Sequence, residues 1–127
     1  MKYYIATSLE NHAQHNALRD DLHKYGYTCT YDWTTHGSVQ DQGEQKIHEV
    51  CMLEVSGVAE ADVVIVLLPG GRGTHVELGL ALGMNKSVIL YNYRAYDRWC
   101  AFYLHDNVFL LDADEFDRIP EIVGLYR

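Results

Sequence analysis

The stretch Ala61-Asp62-Val63-Val64-Ile65-Val66-Leu67-Leu68-Pro69-Gly70-Gly71-Arg72-Gly73-Thr74-His75-Val76-Glu77-Leu78-Gly79 decides how the chain is read. Val63 to Leu68 is an unbroken run of branched aliphatic side chains. A strand with one wet face would alternate polar and apolar residues, so this run predicts a strand covered on both faces, as in a parallel sheet. Pro69 to Gly73 then breaks the chain's pattern, and residues 74–82 read as a helix stopped by Gly83. Strand, glycine-rich turn and helix, in that order, are half of a β-α-β unit.

The same alternation continues in both directions. Upstream, residues 3–6 read as a strand, followed by a helix with Ala13, Ala17, Leu18, Leu22 and Tyr25 on its apolar stripe and Gly26 at its end. Residues 27–33 are strand-like and 34–43 a polar loop, after which Ile47, Val50, Cys51, Val55 and Val58 recur at helical spacing within 44–60. Downstream come a strand at 87–91, a short helix at 97–104, a strand at 108–111 and a helix at 115–125 around Pro120. This order predicts an α/β fold: a three-layer sandwich on a five-stranded parallel sheet, with the flavodoxin-like order 2-1-3-4-5. No repeat or linker divides the chain, so residues 1–127 are expected to form a single domain.

Composition narrows the function classes. An apolar share of 48% with 22% charged residues excludes a disordered chain. The net charge of −8 argues against a nucleic-acid polymer or an acidic membrane surface as partner. No apolar run approaches the roughly 20 residues that span a bilayer, and Met1-Lys2-Tyr3-Tyr4-Ile5 does not begin a signal peptide, so a cytoplasmic location is expected. Cys29, Cys51 and Cys100 form no CxxC pair and read as reduced thiols in apolar surroundings.

Parallel sheets of this order bind ligands at the carboxyl ends of their strands, near the point where the strand order reverses. Two loops are thereby selected: one beginning at Thr7 and Ser8, the other containing Gly70, Gly71, Arg72, Gly73 and Thr74. Glycines let backbone approach a ligand closely, and free amides at a helix start favour an anion or sugar hydroxyls. The spacing matches neither a phosphate-binding GK[ST] loop nor a dinucleotide GxGxxG.

Glu77 has two readings. Thr74-x-x-Glu77 has the spacing of a capping box, in which the acid merely bonds back to the cap. Glu54 supports the other reading, because it shares a helical stripe with Ile47, Cys51 and Val58, where a carboxylate is costly unless paired or used. Two carboxyls at one cleft are the minimum equipment for cleaving a glycosidic bond. Tyr4 is either core or aimed at that cleft; Asp62, at the opposite edge, reads as structural. His12-x-x-His15 has workable spacing for a metal but no third ligand, and an exposed polar face accounts for both, so neither metal nor cofactor is expected.

With these residues in place, the sequence resembles the nucleoside 2-deoxyribosyltransferase family, which includes the 2'-deoxynucleoside 5'-phosphate N-hydrolases. The resemblance runs from Tyr4 to about Leu111 and is most specific in Ala61 to Val66 and Gly73 to Leu82. It implies that Glu77 is a nucleophile, assisted by Glu54 at a position the family usually fills with Asp, and that Tyr4 lies beside the catalytic acid. It also implies a homodimer or larger homo-oligomer with sites at the interface, because Asp106-Asn107-Val108 resembles a segment whose Asn reaches a neighbouring subunit's site. The chain departs from the family in two loops. Thr7-Ser8-Leu9-Glu10 stands where the hydrolases carry a phosphate-binding Gly-Ser-Ile-Arg, and Gly71 replaces a sugar- or phosphate-contacting residue, leaving Arg72 as the candidate phosphate contact. The implied activity is cleavage or transfer of the N-glycosidic bond of a nucleoside or nucleoside 5'-monophosphate through a glycosyl-Glu77 intermediate. Two readings stand beside it: a glycohydrolase acting on an NAD-type dinucleotide, and a non-catalytic nucleotide-sensing module.

Overall fold

The computed structural model describes residues 1–126; Arg127, the last residue of the expected domain, lies outside them. Five parallel strands form one sheet in the order β2-β1-β3-β4-β5. They are β1 (Lys2–Ala6), β2 (Thr28–Cys29), β3 (Val63–Leu67), β4 (Ser87–Tyr91) and β5 (Val108–Leu111). The helices are α1 (His12–Lys24), α2 (Glu44–Glu60), α3 (Arg72–Gly83) and α4 (Ile119–Gly124).

Side chains alternate across a strand, so each strand supplies both layers of the core. Tyr3, Ile5, Val63, Ile65 and Leu67 pack under Leu18 and Leu22 of α1 and Ile119, Ile122 and Val123 of α4. Tyr4, Ala6, Val64, Val66 and Leu68 face Val58 of α2 and Leu78 and Ala81 of α3. All five residues of β3 are fully buried, which is why the run carries no polar alternation. Among the described residues no helix is long and apolar enough to cross a membrane.

The structure corrects several local expectations. Only Thr28 and Cys29 pair as β2, because Trp33 leaves the strand direction for a 3-10 turn over Trp33–Thr35, whose cap is the Asp32 carboxylate. The inward face of α1 is His15, Leu18 and Leu22, whereas Ala13, Ala17 and Tyr25 are exposed. A histidine therefore occupies part of the buried stripe that small residues were expected to fill. Between β4 and β5 only Ala101–Leu104 is helical, as a 3-10 turn. The terminal helix is split: Ala113–Arg118 is a 3-10 turn capped by Asp112 and Glu115, and Pro120 sits in the first turn of α4. Proline there starts a helix, since its missing N–H would have had no partner.

Candidate active site

The acid-bearing cleft lies at the carboxyl edge of β1 and β3. It has a volume of about 370 Å³, within the usual range for a small-molecule site. Its walls come from the loop after β1, the loop after β2, the cleft-facing side of α2 and the first turns of α3.

Helix α3 begins earlier than the sequence pattern predicts. Gly71 is its N-cap, so Thr74 lies inside the first turn and the capping-box reading of Glu77 does not hold. Glu77 is thus freed from the cap and projects into the cleft, only 9% exposed. The turn before it needs a glycine: a Cβ on Gly70 would lie 2.5 Å from the Thr74 Cγ2 atom. Thr74 is itself buried and lines the cleft.

Tyr4, wholly buried in β1, donates its hydroxyl proton to the Glu77 Oε2 atom at 2.5 Å. Burial, with Glu77 beside it, holds the phenol above its ordinary pKa, so it remains a donor throughout the neutral range. The α2 helix reaches this pair through Gly57, where a Cβ would stand 2.9 Å from the Tyr4 ring and 3.0 Å from the Tyr31 Cβ atom. That close approach lets Glu54, one turn earlier on α2, line the same cleft.

The two carboxyls act on each other. Glu77 is raised above the usual carboxylate range by burial; the Tyr4 hydrogen bond opposes this shift, and the neighbouring Glu54 reinforces it. Glu54 is raised as well, by burial, although its interaction with Glu77 and the nearby His36 pull the other way. Two facing acids in a half-dry cleft titrate as a pair, and one proton is retained more readily than two charges. The arrangement can therefore present a carboxylate and a carboxylic acid side by side near neutral pH.

Of the residues predicted from sequence, Glu77, Glu54, Thr7, Ser8, Gly71, Gly73 and Thr74 line this cleft, and Tyr4 lies behind Glu77. The Thr7 hydroxyl is engaged internally, donating to the Leu67 carbonyl at 2.8 Å. Gly70 and Arg72 do not line it; both belong to a second hollow on the other side of the α3 start. Asn107 is at the amino edge of the sheet, where its side chain donates to Asn85 Oδ1 at 3.0 Å. Within one chain it is remote from the cleft, because it precedes β5 whereas ligands sit where strands end. Asp62 has the structural role expected, its carboxylate accepting the Lys2 backbone N–H at 2.8 Å.

The histidine pair separates. His12 is exposed, whereas His15 is fully buried, edge-on to Trp33 with ring centroids 5.0 Å apart. None of the three thiols is fully buried: Cys29 and Cys100 are half-buried, and Cys51 is exposed on the cleft-lining side of α2.

Sequence reasoning missed the loop after β2. Trp33, His36, Ser38, Val39 and Gln40 all line the cleft. Trp33 anchors the loop by donating its indole N–H to the Ile5 carbonyl at 2.8 Å. The His36 Nδ1–H faces the Gly37 carbonyl at 2.8 Å, which leaves Nε2 to accept the Tyr31 hydroxyl at 2.5 Å. The signal was available, since this loop also follows the carboxyl end of a strand.

A doubly covered parallel sheet whose carboxyl edge carries a helix-borne acid, a second acid and a buried tyrosine defines a class of small-molecule site. The chain belongs to the nucleoside 2-deoxyribosyltransferase family, whose model matches residues 3–113. Among solved structures, it is similar to the Clostridium botulinum CMP N-glycosidase BcmB, with a TM-score of 0.70 and 16% identity over 98% of this chain and 99% of that one. A search of curated proteins finds no match.

Proposed function

We propose that the cleft cleaves or transfers the N-glycosidic bond of a nucleoside or nucleoside 5'-monophosphate. The observation that carries this reading is the buried Tyr4 hydroxyl held 2.5 Å from Glu77, with Glu54 in the same cleft. Family membership supports it, and so does the shared fold of a protein that is named for cleaving the N-glycosidic bond of CMP.

The Glu77 carboxylate attacks the anomeric carbon as the bond from that carbon to the base nitrogen breaks, and the electron pair leaves with the base. The proton that the pair shares lies on Glu54 once Glu77 is ionised for attack, and Glu54 supplies it to the departing base. Water, or the nitrogen of a second base, then attacks the anomeric carbon from the opposite side and breaks the ester to Glu77. Glu54 receives the proton lost by that nucleophile. Two displacements at one carbon give net retention. Tyr4 orients the attacking carboxylate and offsets part of its charge. No metal or cofactor enters these steps.

The test is chromatography of free base released from a panel of nucleosides and their monophosphates, with mass spectrometry for a glycosyl adduct. Wild type should release base from at least one compound, and Glu77→Ala should not. Equal release by the variant overturns the assignment.

The reading includes a homo-oligomer in which another copy closes the open side of the cleft, the one route by which Asn107 would reach a substrate. Sedimentation of the active protein tests this; an active monomer removes Asn107 from the site.

A further inference from the structure

On the other side of the α3 start lies a second, more open hollow of about 530 Å³. Its rings are held in place by contacts of their own. The Tyr96 hydroxyl accepts the Gly70 N–H at 2.8 Å and bonds back to the Gly70 carbonyl. His75 contacts the Gly71 carbonyl through Nδ1 at 2.9 Å and the Tyr103 hydroxyl through Nε2 at 2.6 Å. Its ring stacks on Tyr103 with centroids 5.8 Å apart. Trp99, 43% exposed, meets Tyr93 edge-on at 5.1 Å.

The charges beside these rings are unusual for this chain. Among the described residues, Arg19, Arg94 and Arg118 are ion-paired with acids. Arg72 and Arg98 have no such partner, and both line this hollow. In a chain of net charge −8, the described arginines without an acidic partner converge on one aromatic site. Guanidinium groups match phosphate oxygens in geometry and charge, and fixed aromatic faces take a planar ring at little entropic cost.

Gly71 lines both this hollow and the acid-bearing cleft. At the seam, the first helical amide bond runs from His75 N–H to the Gly71 carbonyl. The preceding amides of α3 therefore have no carbonyl of their own helix to bond.

We propose that this second hollow binds an aromatic base carrying a phosphate, with Arg72 and Arg98 on the phosphate and Trp99 and Tyr96 against the ring. Two sources supply that chemistry. One is a free mononucleotide; the other is the far half of a dinucleotide whose near half occupies the cleft, its pyrophosphate crossing the α3 start. Only the dinucleotide source rests on the glycosidic reading of the cleft.

The chain has two tryptophans, one in each site: Trp33 in the cleft and Trp99 in the hollow. Their indole N–H signals in a nitrogen-15 NMR spectrum, assigned with Trp99→Phe, report the two sites separately. The titration uses the full chain carrying Glu77→Gln, to prevent turnover, with AMP and then NAD as probes. AMP should move the Trp99 signal, with a midpoint weakened about tenfold or more by Arg98→Ala. With NAD, one midpoint shared by both signals supports the dinucleotide source, and a Trp99 shift at a midpoint of its own supports a separate nucleotide. A Trp99 signal that stays fixed with both probes, or a midpoint unchanged in Arg98→Ala, overturns the proposal. Failure of the cleft reading registers elsewhere, as base release that survives Glu77→Ala while Trp99 still responds.

Discussion

Tyr3 and Tyr4 are consecutive residues of the same strand, and both are fully buried. Tyr3 points into the layer of α1 and α4, where its hydroxyl meets the Arg19 carbonyl at 3.4 Å and the Cys29 thiol. Tyr4 points into the layer of α2 and α3, where it meets a carboxyl at 2.5 Å. One sheet thus has a sealed apolar face and a face whose packing opens onto acids. Because strand side chains alternate, one residue of register separates a tyrosine of the sealed core from one bonded to a cleft acid.

The most forceful attempt to break this division is Glu77→Gln, which should lower base release about a thousandfold or more while the fold persists. Its counterpart on the sealed face is Ile65→Ala, which should cost about 2–5 kcal/mol of stability in urea unfolding. Base release per folded molecule should remain. Loss of release in fully folded Ile65→Ala would join the two faces into one functional unit.

Gly57→Ala should cost about 1–3 kcal/mol, because its methyl meets the Tyr4 ring and the Tyr31 Cβ atom and must push α2 away. Base release should fall too, since Glu54 moves with that helix. Gly79→Ala is the control: a Cβ there meets nothing within 4 Å, and helix propensity should add up to about 1 kcal/mol. Equal responses at the two glycines would mean that the approach of α2 to Tyr4 does not matter.

Much of this was legible from residue types and spacing. The uniform run of β3 gave away its burial, and with the alternation of helices it yielded the strand order. Glu54 was conspicuous because a charge on an apolar stripe is costly. Other features depend on packing that spacing does not encode. Thr74 has a cap's spacing to Glu77, yet the glycines before it let α3 start earlier, and the first turn then selects a different face for the acid. Gly57 carries no pattern, since its role appears only when Tyr4 lies beneath it. Arg72 reads as a cleft residue by its place in the loop, but at the first position of a helix it points to the other side. His15 looks like a surface partner of His12, and only the crossing of Trp33 beneath α1 explains its burial.

The subtlest difference between the two faces is electrostatic. If catalysis needs ionised Glu77, the acid limb of the activity profile reports its titration. Tyr4→Phe removes a hydrogen bond that lowers the Glu77 pKa, so the limb should move to higher pH. Glu54→Gln removes an interaction that raises it, so the limb should move to lower pH, whatever happens to the maximum rate. Tyr3→Phe should leave the limb in place. The same coupling affects stability with a definite sign. The folded pair holds a proton to higher pH than unfolded carboxyls do, so between those ranges the folded chain binds more protons and loses stability as pH rises. Glu77→Gln removes that burden. Its advantage over wild type should be absent at about pH 4 and should grow to about 1–2 kcal/mol as the pH rises through the raised range. Urea unfolding at a series of pH values measures it. A constant difference would show that Glu77 folds with an ordinary carboxylate pKa, and the paired-acid description of the cleft would fail.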